Sequence, residues 1–471
     1  MQTMPDSFPG LVHQALRDWH KPQLNDEPWH AYTSLAQATT GKGEISRLEW
    51  SQAVKEWILR GLQHLHNEDS QAADLLRQRF LDDDPVRTVA NRWNVSESLI
   101  LQRQREAMLA LSRCLWQEEA GILAEKQDRI LNRLEITVPG RLFGIAATQT
   151  TLLDLLSAEG PPWVIAVDGM GGIGKTTLAD AIVRQIVTQP RYVDIGWLSA
   201  RRRVFTLWGG LQEPADRPAL TLERLIDAIL CQFGAAQLAR LPYERKLAEV
   251  KELLNSAPHL IVIDNLETAA DYRTILPELH RLCNPSRFLL TSRHGLRAFP
   301  AVYSLTLDEL SLADSLDLMR YEAEGRGFHE LASAPDDLLT EVHQVVGGNP
   351  LALKLVVGQS YALPLPQVLK NLRLAQGREV EQLYHHLYRH SWQMLSEHAR
   401  QVLVTMPLVA EQGGDIPQIT AISELPENEV TAALTELVNV SLVNKVGSVQ
   451  DYRFAIHQLT ETFLAREVLK W

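Results

Sequence analysis

Val164-Ile-Ala-Val-Asp168-Gly-Met-Gly-Gly-Ile-Gly174-Lys-Thr-Thr-Leu178 decides how this chain is read. An apolar run of strand character enters a glycine-rich loop, and an amphipathic stretch, Leu178–Val187, follows directly. Gly169, Gly174, Lys175 and Thr176 fall on the defining positions of the phosphate-loop pattern G-x-x-x-x-G-K-[ST]. Glycines let the backbone of Gly169, Met170, Gly171, Gly172, Ile173 and Gly174 curl until its N–H groups point inward at phosphate. The N-terminus of the next helix, through Thr177, adds the positive end of its dipole. Lys175 is then placed for the β- and γ-phosphates of ATP, and the Thr176 hydroxyl for Mg2+.

Outward from the loop, short apolar runs (Val164–Val167, Val193–Leu198, Leu260–Ile263, Phe288–Leu290) alternate with amphipathic stretches such as Leu222–Phe233. That alternation predicts a parallel sheet covered on both faces. Leu260-Ile-Val-Ile-Asp264 ends in a carboxylate, expected to hold the metal from a neighbouring strand. Many ATPases carry a second acid at the following position, to polarise the attacking water. Here that position is Asn265, with Glu267 two residues on as the available substitute, so slow hydrolysis is expected. Arg287-Phe-Leu-Leu-Thr-Ser-Arg293 ends at the same sheet edge, where Arg293 is placed to sense a γ-phosphate by a charge-assisted contact. The candidate catalytic set is therefore Lys175, Asp264, Asn265, Glu267 and Arg293, with Thr176 and Asp264 as metal ligands.

The 471 residues allow two or three domains, and 45% hydrophobic with 22% charged residues is the balance of a globular chain. Acids outnumber bases by 58 to 46, so nucleic-acid contact would have to come from a local patch. Cys114, Cys231 and Cys283 lie far apart without metal spacing, which excludes a disulfide framework and fits a cytoplasmic protein. The N-terminus lacks the pattern of a signal peptide, and no apolar run is long enough for a membrane span.

Residues 1–135 read as a helical region carrying Trp19, Trp29, Trp50, Trp57, Trp93 and Trp116, with Leu48, Val54, Ile58, Leu62 and Leu65 expected in its core. Ile136–Arg141 reads as a linker. The nucleotide domain is expected over 136–306, helices over 307–377, and helices, a hairpin within Leu442–Ala455 and a last helix from about His457 over 378–471. The fold class is thus a multidomain α/β plus α chain.

With these motifs in hand, the chain resembles the NB-ARC family of STAND ATPases over roughly residues 136–471. Met170-Gly-Gly-Ile-Gly-Lys-Thr-Thr-Leu178 has that family's wording. Gly347-Gly-Asn-Pro-Leu-Ala352 resembles its GLPL-type motif, and Tyr452-Arg-Phe-Ala-Ile-His457 the histidine-bearing motif of its winged helix. The resemblance implies that Pro350 packs near the adenosine and that His457 touches the β-phosphate of ADP, locking a closed monomer. It also implies that exchange of ADP for ATP releases the winged helix and permits self-association. In the family a C-terminal repeat domain often senses the trigger. Here a separate sensor or effector protein, a truncation, or sensing by the N-terminal region is expected instead.

Residues 73–115 hold a helix-turn-helix pattern. Val86, Val89, Ala90 and Trp93 are expected to face inward, with a turn at Asn94–Val95 and a second helix opening at Ser96. It resembles region 4 of sigma factors. Over residues 85–115 five arginines stand against two glutamates, so Ser96, Ser98, Gln102, Arg103 and Arg105 are candidate DNA contacts. The expected function is an ATP/ADP-switched DNA-binding regulator. The competing expectation is a nucleotide-switched scaffold that recruits an effector without DNA.

Overall fold

Runs of Val, Ile, Leu and Ala, apolar on both sides, suit strands that are covered on both faces. In the computed structural model they form a five-stranded parallel sheet: β1 (Val164–Asp168), β2 (Asp194–Ser199), β5 (His259–Asp264), β6 (Arg287–Ser292) and β7 (Val302–Thr306). A small antiparallel pair, β3 (Val204–Thr206) and β4 (Gly210–Gln212), stands outside it. The structure describes residues 3–25, 27–35, 46–134, 141–189, 191–200, 204–206, 210–212, 220–269, 272–361, 363–373, 388–389, 391–393, 395–409, 413–447, 452–456, 458–464 and 468.

The strand order is β2-β5-β6-β1-β7. Asp264 therefore does not come from a strand neighbouring the phosphate loop, as the sequence led us to expect, because β6 lies between β5 and β1. Edge strand β7 has no counterpart among the predicted strands. Its residues Tyr303, Ser304 and Thr306 interrupt any apolar run, and Tyr303 is exposed. Successive residues of β1 point to opposite faces. Val164 and Ala166 join Ile226, Val250 and Leu279 on one side, while Ile165 and Val167 join Leu152, Leu178 and Ile182 on the other.

The N-terminal helices enclose their own core of Phe8, Trp29, Trp57, Ile58, Leu62, Leu111 and Leu115. Leu48 is not part of it: it is 48% exposed, the second residue of the helix Arg47–Glu68. The helix Val86–Trp93 ends at Asn94 in the left-handed conformation, and Ser96 caps the next helix by accepting from the Leu99 N–H. That next helix runs from Glu97 to Leu131, 35 residues or roughly 50 Å. Leu111 and Leu115 hold its middle in the N-terminal core, and Ile130 and Leu134 insert against the parallel sheet. At that end Arg133 Nη1 donates to Asp194 Oδ1 at 2.7 Å, and Lys126 donates to the Tyr192 carbonyl. The linker expected at Ile136–Arg141 falls, apart from Arg141, outside the described residues.

After β7 come the helices Leu312–Gly325, Asp336–Val346, Pro350–Gln359 and Leu365–Arg373, then Glu397–Thr405, Ile416–Ser423 and Glu427–Asn439. A hairpin of β8 (Asn444–Gly447) and β9 (Tyr452–Ala455) follows, bridged through Phe454 to Gly414, and a helix Gln458–Phe463 comes after it. One continuous core runs from Leu310 through Leu353, Val402 and Leu434 to Leu464. Among the described residues, no helix is long and apolar enough to cross a membrane.

Candidate nucleotide-binding site

The loop after β1 takes the shape its glycines permit. Gly174 has φ 106 at the cap of the helix Lys175–Ile186. Gly172 has φ 77, and a β-carbon there would stand 2.9 Å from Leu351 Cβ, so only glycine fits beneath that neighbour. Lys175 is buried with its Nζ donating to the carbonyls of Gly169 and Met170, both at 2.8 Å. Burial pushes its ammonium down to about 8, with Arg293 adding to the effect and Glu267, Asp264 and Asp168 opposing it. Anionic phosphate oxygens would favour the charged form.

The fully buried Asp264 at the end of β5 collects three donors. Thr176 Oγ1 donates to Oδ1 at 2.8 Å, Thr291 Oγ1 donates to the same oxygen, and Asn265 Nδ2 donates to Oδ2. A hydroxyl and a carboxylate are hard oxygen donors of the kind Mg2+ selects, and both sit where the loop becomes a helix, so these residues fit that ion. Among the described residues there is no cluster of three or more His, Cys, Asp and Glu side chains that holds a metal by itself. Phosphate oxygens and water would have to complete the shell.

Asn265 adopts the left-handed conformation (φ 58) with its amide turned onto Asp264. Glu267 and Arg293, assigned separate roles from the sequence, meet each other: Arg293 Nε lies 3.2 Å from Glu267 Oε1. Arg293 also flanks the phosphate loop, its Cζ 3.7 Å from where a β-carbon on Gly171 would sit. Lys175, Thr176, Asp264, Asn265, Glu267 and Arg293 are thus gathered at one edge of the sheet.

Pro350 opens the helix Pro350–Gln359 as its first residue. The residues of that segment that touch the loop are its neighbours, Asn349 and Leu351: Asn349 Nδ2 donates to the Gly171 carbonyl at 3.0 Å. Asn349 lies within the Gly347–Ala352 motif, where the sequence by itself assigns it no role. Asn before Pro at a helix start signals a cap, but not its second partner. Thr291 was likewise missed, because an interior strand threonine carries no signature. His457 lies outside the described residues.

In the N-terminal region Ser98, Gln102 and Arg105 are exposed at i, i+4 and i+7 on one helix face, and Arg103 is half-buried. Ser96 is engaged as the cap, and its hydroxyl also bonds Ser98 Oγ at 2.9 Å. Gln102 Nε2 donates to Glu106 at 3.0 Å. Arg92 is paired with Asp84 at 2.8 Å, so the local positive charge is smaller than a count over 85–115 suggests.

A model of the NB-ARC domain family matches residues 146–298, which span the loop, Asp264 and Arg293. Residues 146–298 are an NB-ARC domain. The chain is 26% identical over 211 residues to a probable disease resistance protein of Arabidopsis thaliana, covering 43% of this chain and 22% of that protein. It is 28% identical over 294 residues to the regulatory protein AfsR of Streptomyces griseus, covering 55% of this chain and 27% of AfsR. The chain therefore spans only about a quarter of the length of these curated relatives. Among solved structures, a STAND protein with a tetratricopeptide repeat sensor from Pyrococcus horikoshii aligns over 71% of this chain and 43% of its own. The TM-score is 0.42 and the identity 17%.

Proposed function

We propose that this chain is an ATP/ADP switch in which the NB-ARC domain reports its nucleotide to the helical segments that follow it. What carries the reading is the contact between Asn349 and Gly171: the phosphate loop is bonded to the start of a helix beyond residues 146–298. A ligand at the loop then acts on how those segments dock, provided ADP and ATP bind the docked and released forms differently. The loop amides and the helix N-terminus receive the phosphates, Lys175 the β/γ-phosphates, and Thr176 with Asp264 the Mg2+. The ion neutralises phosphate charge when bound. Arg293 senses the γ-phosphate. Pro350 near the adenosine and His457 on the β-phosphate complete the ADP-held closed form, and ATP binding permits self-association. With an amide at Asn265 and Glu267 engaged by Arg293, hydrolysis is slow, well below the roughly 1 s−1 at the low end of ordinary enzymes. Titration of the chain with a fluorescent ADP tests the reading; no saturable binding in the presence of Mg2+ rejects it.

For output, we propose DNA contact through Ser96, Ser98, Gln102, Arg103 and Arg105, supported by the exposed face that Ser98, Gln102 and Arg105 share. A second reading, effector recruitment without DNA, also has an observation behind it. Leu101 and Leu109 are 42% and 43% exposed on the same helix, and Arg92 is neutralised by Asp84. A mobility shift with genomic DNA fragments at 50 and 200 mM salt separates them. A shift lost at the higher salt supports DNA contact, and no shift at either supports recruitment.

A further inference from the structure

The Asn349 side chain, 2% exposed, is used at both ends. Its Oδ1 accepts from the N–H groups of Leu351 (3.1 Å) and Ala352 (3.4 Å), capping the helix Pro350–Gln359. Its Nδ2 donates to the Gly171 carbonyl at 3.0 Å. Turning the amide over would face two N–H donors with an NH2 group and the carbonyl with an oxygen, so the hydrogen-bond network dictates this orientation. Beside it, Lys175 Nζ holds the carbonyls of Gly169 and Met170. Three successive carbonyls of the loop are thus engaged by side-chain donors, two of them by a flexible cation and one by an amide locked in a helix cap.

These two holds respond differently to a phosphate. An ammonium is attracted more strongly to an anionic oxygen, which carries full charge, than to a neutral carbonyl, so Lys175 is drawn from the carbonyls to the ligand. Asn349 is neutral, buried and committed to its cap, and it keeps its hold on Gly171. In a trans peptide the carbonyl oxygen of one residue and the N–H of the next point in opposite directions. Fixing the Gly171 carbonyl toward the helical segment therefore aims the Gly172 N–H the other way, into the loop's concavity. Leu351 Cβ presses on Gly172 from the same helix turn, where no β-carbon fits.

We propose that Asn349 is a positioning residue for nucleotide binding. It presets the Gly171–Gly172 peptide with its N–H toward the phosphates, and so makes phosphate affinity depend on docking of the Pro350–Gln359 helix. The inference rests on the nucleotide reading above and adds a residue from beyond residues 146–298 to that site.

Asn349→Ser and Asn349→Asp test it. Both residues are good helix caps, so the helix start is preserved, and neither carries an amide that reaches Gly171. Serine is neutral, so a loss shared by both variants is not charge repulsion. Fluorescent-ADP affinity and the melting temperature without nucleotide are measured on wild type and both variants, with Lys175→Ala as the control for lost binding. Both variants should bind ADP about 2- to 10-fold more weakly, with the nucleotide-free melting temperature lowered by only a few degrees, the cost of one lost hydrogen bond. Wild-type affinity in both variants overturns the proposal. A loss of affinity accompanied by a nucleotide-free melting temperature lower by more than about 10 °C overturns it too, since Asn349 would then act on the fold as a whole. Failure of the wild type to bind ADP is a different result: it removes the nucleotide reading, and the inference goes with it.

Discussion

Arg293 and Glu267 neutralise each other beside the phosphate loop, with Arg293 Nε 3.2 Å from Glu267 Oε1 and the Arg293 N–H donating to Oε2 at 3.1 Å. A γ-phosphate that recruits Arg293 must compete with this carboxylate. Arg293→Gln should therefore weaken ATP by about 10- to 150-fold, the value of a charged hydrogen bond, and leave ADP almost unchanged. Glu267→Gln should raise the preference for ATP over ADP by releasing the guanidinium. Competition titrations of both nucleotides check this; equal losses for ATP and ADP in Arg293→Gln would show that Arg293 does not sense the γ-phosphate.

Lys126, buried where the Glu97–Leu131 helix meets the NB-ARC domain, titrates at about 8 instead of the ordinary 10.5. Burial is the main cause; Arg129 adds to it, while Asp194 and Glu119 oppose it. Between those two values the unfolded chain keeps a proton that the folded one has released, so stability rises with pH across the window. Lys175 shifts the same way, so the comparison is with Lys126→Met. From pH 8 to pH 10, wild type should gain stability relative to that variant by up to about 1.4 kcal/mol per pH unit. Urea melts at the two pH values measure the gap, and a constant gap would contradict the buried charge.

Asp194 ties the same helix end to the start of β2. Asp194 and Arg133 are 11% and 12% exposed, whereas Arg129, 3.3 Å away on the other oxygen, is 45% exposed. Asp194→Asn should lower stability by about 3 kcal/mol, because it strands the Arg133 guanidinium. Arg129→Ala should lower it by less than about 1 kcal/mol. Equal effects in denaturant titrations would mean that both contacts are solvent-screened.

If the N-terminal helices contact DNA, Arg105→Ala should reduce the slope of log affinity against log salt by about 1. Arg92→Ala should leave it nearly unchanged, because Asp84 already neutralises that guanidinium. Affinities at three salt concentrations distinguish them, and matching slopes for both variants and wild type would place DNA elsewhere.

The parallel sheet was legible because β1, β5 and β6 are buried on both faces and so are written as unbroken apolar runs. β7 was not, since an edge strand tolerates the polar Ser304 and the exposed Tyr303. The phosphate loop was legible because Gly172, Gly174 and Lys175 answer local geometric needs. The order of strands answers none, and β6 lies between the loop and Asp264 unannounced. Asn349 and Arg133 mark the same limit. Each looks ordinary in its own segment and acquires a role from a partner 178 or 61 residues away.

The proposed switch is tested by the mass of the wild-type chain in solution with Mg2+ and either ADP or a non-hydrolysable ATP analogue, measured by light scattering. It predicts a monomer with ADP, a larger assembly with the ATP analogue, and a Lys175→Ala variant that stays monomeric with both. The same mass with both nucleotides, in wild-type protein that demonstrably binds each of them, would contradict it.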